Sequence, residues 1–101
     1  MTTAAPTDHP PEARDYFERY TDGRHCPLSQ LDFIYPEREI SQSEDGQVLH
    51  IGRPGVDGLQ FSYRRGHPGI WVWYPLDHRW VRVAADISTL ERDWLSGHLT
   101  V

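Results

Sequence analysis

The chain reads as an α+β domain: a central, mostly antiparallel β-meander with an N-terminal helix and a C-terminal capped helix packed on it. Three observations predict this. Apolar residues alternate with polar ones in short-linked segments from Gln47 onward. Ala13, Tyr16, Phe17 and Tyr20 fall on one face of a helix. Ser88-Thr89-Leu90-Glu91 has the form of a capping box before an apolar stretch that stops at Gly97. At 101 residues the chain fits one domain, with residues 1–10 expected as a disordered tail and 11–101 as the folded unit.

Pro10-Pro11 suits the first turn of the N-terminal helix, and Asp22-Gly23 stops it. Residues 24–29 read as a loop, and Leu31 to Ile34 as a weak strand. Pro36 to Glu39 would begin a helical turn, and 41–46 is a polar turn. Val48, Leu49 and Ile51 make a strand ending at Gly52. Residues 53–58 form a turn-rich connection, and Leu59, Phe61 and Tyr63 a half-buried strand. His67-Pro68-Gly69 matches a type II turn, with proline presetting φ and glycine supplying the positive φ that follows. Ile70 to Tyr74 is β-branched and aromatic throughout, which predicts a central strand covered on both faces. Pro75 to His78 turns the chain into a strand from Trp80 to Ala84. In the last helix Ser88 caps, with Asp86 as a competitor; Leu90, Trp94 and Leu95 form the apolar face, and Gly97 takes the left-handed C-terminal position.

Composition excludes several roles. The net charge is −5, which argues against general binding to a phosphate backbone. All ten basic residues are Arg, a bias of coding that by itself assigns no function. A single cysteine, Cys26, rules out an intrachain disulfide. No apolar run approaches the ~20 residues a membrane helix needs, and residues 1–6 lack the basic and apolar regions of a secretory leader; the expected location is the cytoplasm.

Catalytic chemistry finds little support. The six His show no metal-ligand spacing, and His67 and His78 belong to turns at opposite ends of one strand, so neither metal nor cofactor is expected. His25-Cys26 is the one thiol–imidazole neighbour pair, but adjacent side chains rarely face each other, and no serine lies in G-x-S-x-G. The Glu37/Glu39 and Glu44/Asp45 pairs read as solvated charge rather than an acid–base dyad. The glycines of Gly52 to Gly58 do not make a phosphate cradle, because Pro54 removes a donor. Arg64, Arg65, Trp71 and Trp73 cluster across one hairpin. That pattern fits a buried core, a protein interface or a base-stacking surface. Trp71 and Trp73 share one strand face; the opposite face, with Ile70 and Val72, is expected to meet the helices.

The runs Leu49-His50-Ile51-Gly52, Gly55 to Tyr63, and Pro68-Gly69-Ile70-Trp71-Val72-Trp73-Tyr74, followed by Trp80 to Leu95, resemble the SMI1/KNR4 (SUKH) superfamily. More loosely, Ala13 to Tyr20 and Leu31 to Glu39 resemble its early helix and its "L-x-x-Y-x-P-E-E" segment. The resemblance implies an α+β domain with a binding role. Bacterial members are commonly immunity proteins that neutralise toxins by direct contact, and no catalytic residues are carried over. The expected function is therefore non-catalytic protein binding, with another protein such as a basic toxin domain as partner. Candidate contacts are Glu37, Glu39, Glu44, Asp45, Asp57, Arg64, Arg65, Trp71 and Trp73. The alternative is a small ligand-binding protein or enzyme using the His/Arg/Trp cluster around the 66–78 hairpin.

Overall fold

The computed structural model describes residues 9–27, 30–55 and 58–99. The expected α+β architecture is present: the described residues form a seven-stranded sheet, antiparallel at every pairing, with two helices. The strands are β1 (Arg24–Cys26), β2 (Leu31–Ile34), β3 (Ser41–Gln42), β4 (Val48–Gly52), β5 (Phe61–Arg64), β6 (His67–Tyr74) and β7 (Arg79–Ala84). They lie in the order β1-β2-β4-β5-β6-β7, with β3 paired beside β4. A 3-10 turn, Pro11–Ala13, leads into α1 (Arg14–Arg19), and α2 (Ile87–Ser96) follows β7.

The core lies on one face of this sheet. Ala13, Tyr16 and Tyr20 from the N-terminal segment meet Leu49, Ile51, Phe61, Tyr63, Ile70 and Val72, with Ile87 and Leu90 of α2 closing the layer. Trp94 of α2 stacks on Phe33 at 6.1 Å and meets the Phe61 ring edge-on at 5.7 Å. The aliphatic face of β6 thus faces the helices, as its period-two pattern predicts. Among the described residues, no helix is long and apolar enough to cross a membrane.

Several expectations are corrected. Residues 24–26 are not loop but a short strand paired with β2, and Ser41–Gln42, read as turn, pairs with β4. Strands of two or three residues carry too little alternation to be seen locally; their partners make them strands. The β5–β6 turn is Arg65-Gly66, with φ +83° at Gly66, while Pro68 and Gly69 lie inside β6. Gly69 has φ +106°, and a Cβ there would come within 2.8 Å of the Ala84 carbonyl oxygen, so this glycine serves close strand packing rather than a turn. Strand β6 is flanked by β5 and β7, as expected of a central strand, but its tryptophan face is not covered: Trp73 is 37% exposed. Leu95 is likewise exposed; Ile87, Leu90 and Trp94 form the apolar face of α2. Of the expected tail, residues 1–8 lie outside the described residues. Pro10 is buried, and His9 stacks on Phe17 at 4.6 Å and shares a 2.7 Å hydrogen bond with Gln42.

The helix cap resolves in favour of the competitor. Asp86 Oδ1 accepts from the Thr89 amide at 2.8 Å. Glu91 does not reach back to complete a box; it pairs with Arg24 at 3.0 Å and accepts from the Tyr20 hydroxyl at 2.9 Å. Hydrogen bonds from Thr89 hold the Asp86 carboxyl below its usual pKa. A group held more acidic in the fold than in the unfolded chain contributes stability at neutral pH, and loses it as pH falls through the folded value. Asp86→Ala should therefore lower stability by about 1 kcal/mol at pH 7. In urea unfolding, the gap between variant and parent should narrow as pH drops below the carboxylate range. An equal gap at pH 7 and pH 2.5 would remove Asp86 as the cap.

Candidate functional site

The open face of the sheet is assembled by register. His50 stands across from Ser62, Ser62 from Trp71, and Trp71 from Arg82. Val48 stands across from Arg64, and Trp73 from Trp80. The face therefore carries three indoles, two guanidiniums and, with His67 across from Arg64, two imidazoles, with no carboxylate at these register positions.

These side chains form a ladder. The Arg64 guanidinium lies 4.8 Å from the Trp71 ring centre and 4.7 Å from that of Trp80. Trp80 packs against Trp73 at 5.5 Å. His67 and His78 close the two ends, 5.9 Å from Trp71 and 6.1 Å from Trp73. The Trp71 indole N–H donates to the backbone carbonyls of His67 and Pro68, both at 3.2 Å, which fixes its ring. Each cation–π contact is worth roughly 0.5–2 kcal/mol, more as water is excluded. Burial presses against the Arg64 charge, lowering its pKa, but a guanidinium stays protonated in a protein.

A groove of about 310 Å³ runs along this face, bounded by Ser43, Val48, His50, Trp73 and Trp80. Ser62, 1% exposed, lies beneath His50 on the neighbouring strand. His50 shares a 2.8 Å hydrogen bond with the Ser62 hydroxyl, and burial lowers its pKa. The sign follows. Below the ordinary value of 6.5 the unfolded chain takes up a proton that the folded imidazole resists, so stability falls as pH drops from 6.5. His50→Gln should flatten that part of a pH–stability curve measured in urea; an unchanged slope between pH 7 and 5 would exclude His50 as its source.

The predicted contact residues do not form one surface. Trp71, Trp73 and Arg64 share the open face. Arg65 sits at its end, where its Nε donates to the Gly46 carbonyl at 3.2 Å and tethers the β3–β4 turn. Asp45 is engaged inside that turn, accepting from the Ser43 hydroxyl at 2.6 Å and the Gln47 amide at 3.0 Å, and these bonds lower its pKa. Glu44 beside it is exposed. Glu37 and Glu39 lie in a 3-10 turn before β3. Glu37 acts there on the buried Tyr16 hydroxyl, which burial first and this charge second push up to about 12. Asp57 lies outside the described residues.

The residues missed by the sequence reading were Trp80, His50 and Ser62. Trp80 had a signal: a four-residue turn at 75–78 sets Tyr74 opposite Arg79 and hence Trp73 opposite Trp80. His50 and Ser62 had none beyond strand period, because what they do depends on a neighbouring strand.

Catalytic alternatives gain no convergence. His67 and His78 terminate opposite ends of the ladder. The His25 ring pairs with Asp32 at 2.8 Å and is exposed, whereas Cys26 is buried. Among the described residues, no group of three or more His, Cys, Asp or Glu is placed to hold a metal ion. Comparison with family models, with curated proteins and with solved structures found no match.

Proposed function

We propose that this chain is a non-catalytic protein-binding module whose contact surface is the open Trp71–Arg64–Trp80–Trp73 face. The observation that carries the reading is a stacked set of indoles and a guanidinium, partly open to solvent, on the side of the sheet opposite the main core. Trp and Arg dominate binding hot spots. A ladder already fixed by stacking and by the Trp71 N–H bonds loses little side-chain freedom on docking. With Arg64 and Arg82 on this face and no carboxylate among its register positions, the matching partner surface is an apolar knob flanked by acidic groups.

The specific role we favour is an immunity protein that neutralises a bacterial toxin by direct contact. The support is the SMI1/KNR4-like run from Leu49 through Leu95. A basic toxin would instead be held by the exposed Glu37, Glu39 and Glu44, so the two faces separate the partner types. The test is calorimetric titration against the product of the adjacent gene. Loss of binding in Trp73→Ala, with Glu37→Gln/Glu39→Gln unaffected, supports the tryptophan face. The reverse pattern supports the acidic turns and overturns this assignment of the surface.

A further inference from the structure

A second feature shares no residue with the groove. Where the N-terminal segment crosses the β5–β6 hairpin and the start of α2, a hollow of about 160 Å³ is lined by Glu12, Asp15, Tyr63 and Asp86, with Pro68 and Ile87 as apolar wall. This is several times a water's share of ~30 Å³. We infer that this hollow binds an organic cation carrying N–H donors, the ammonium or guanidinium end of an alkyl chain.

Two unpartnered polar atoms point to it. One Glu12 carboxylate oxygen accepts the Gly66 amide at 2.9 Å, while the other is buried with no hydrogen-bond partner. Tyr63 is 2% exposed, and its hydroxyl also has no partner; the Tyr16 amide lies alongside the phenol oxygen without hydrogen-bond geometry. Leaving such a group unmet costs about 1–3 kcal/mol, so a ligand that meets both atoms gains from each. Its charge must be positive. Glu12, Asp15 and Asp86 form no ion pair within 4.0 Å among the described residues; Arg92 and Arg19 reach Asp86 only from a distance. The N-terminus of α2 offers no competing anion site, because the Asp86 carboxylate already caps it. The carboxylates are not grouped to hold a metal ion. An N–H donor reaching the free Glu12 oxygen and the phenol oxygen, with its stem against Pro68 and Ile87, satisfies the site. Burial with Asp15 and Asp86 nearby raises the Tyr63 pKa, keeping the phenol neutral beside that cation.

The test is an amide NMR titration of the whole chain with methylguanidinium and methylammonium chloride, against sodium chloride and tetramethylammonium chloride as controls. The expected result is saturable shifts at Tyr63, Gly66, Gly69 and Ile87 with at least one N–H cation and with neither control. Affinity should fall at least tenfold in Glu12→Gln and severalfold in Tyr63→Phe. If Glu12→Gln does not fold, Asp15→Asn replaces it, since Asp15 is exposed and its loss leaves the core intact. A capped Gly-Arg-Gly or Gly-Lys-Gly peptide distinguishes the source: tighter binding than the free cation assigns the site to a polypeptide side chain, equal or weaker binding to a free amine. Non-saturating shifts, equal shifts with the controls, or unchanged affinity in the carboxylate variant would overturn the inference.

Discussion

Gly52→Ala should destabilise this domain by about 3–5 kcal/mol, a large part of the roughly 5–15 kcal/mol available to a domain of its size. A Cβ at position 52 would overlap the Phe33 carbonyl oxygen and crowd the Ile34 backbone. These are main-chain atoms of the paired strand and cannot rotate away. Strand β2 joins β4 through a single register pair, Ile34 with Gly52, flanked by Tyr35 N–H to Ile51 O at 2.7 Å and Arg53 N–H to Phe33 O at 3.1 Å. Relieving the clash separates the strands, forfeits those bonds at about 1 kcal/mol each, and loosens the buried Phe33 and Ile34. Gly66→Ala is the control. Its φ is also left-handed, at +83°, but nothing lies within 4 Å of the new Cβ. Its cost should stay near the ~1–2 kcal/mol of a strained backbone. Urea midpoints measure both, and equal losses would contradict the close β2–β4 approach.

Gly52 also shows what local sequence can and cannot carry. It reads as a strand end, which it is, yet its decisive property is the approach of a strand eighteen residues earlier in the chain. The elements that were legible, β4 to β7 and α2, are long enough for period two or period 3.6 to show. Arg24–Cys26 and Ser41–Gln42 are strands only because β2 and β4 pair with them. The cap was ambiguous for a related reason: Ser88 and Asp86 both fit locally, and a pairing of Glu91 with Arg24, distant in sequence, removes the reciprocal half of the box. Period two separated the tryptophan side of β6 from its aliphatic side and correctly sent the latter to the helices. It could not say whether a second layer covered the indoles. The acidic hollow joins positions 12, 15, 63 and 86, so no local pattern announces it.

Trp73→Ala should reduce partner affinity by at least 2 kcal/mol, roughly thirtyfold, while lowering stability by less than about 1.5 kcal/mol. The two effects separate because Trp73 is already 37% exposed and contributes to a surface stack rather than to the core under α2. Arg64→Lys should also weaken binding, since a lysine cannot lie flat between Trp71 and Trp80 as the guanidinium does. Phe61→Ala is the opposite case. It removes a ring with no exposure that contacts Trp94, so its cost should be to folding, about 3–5 kcal/mol.

Hydroxyl-radical footprinting of the complex with the adjacent gene's product addresses the contact surface directly, because it reads indole side chains one at a time. Oxidation of Trp73 and Trp80 should fall severalfold on binding, while that of Trp94, half-buried against Phe33 and Phe61, stays unchanged. Undiminished oxidation of Trp73 and Trp80 in a saturated complex would show that the open sheet face is not where this domain meets its partner.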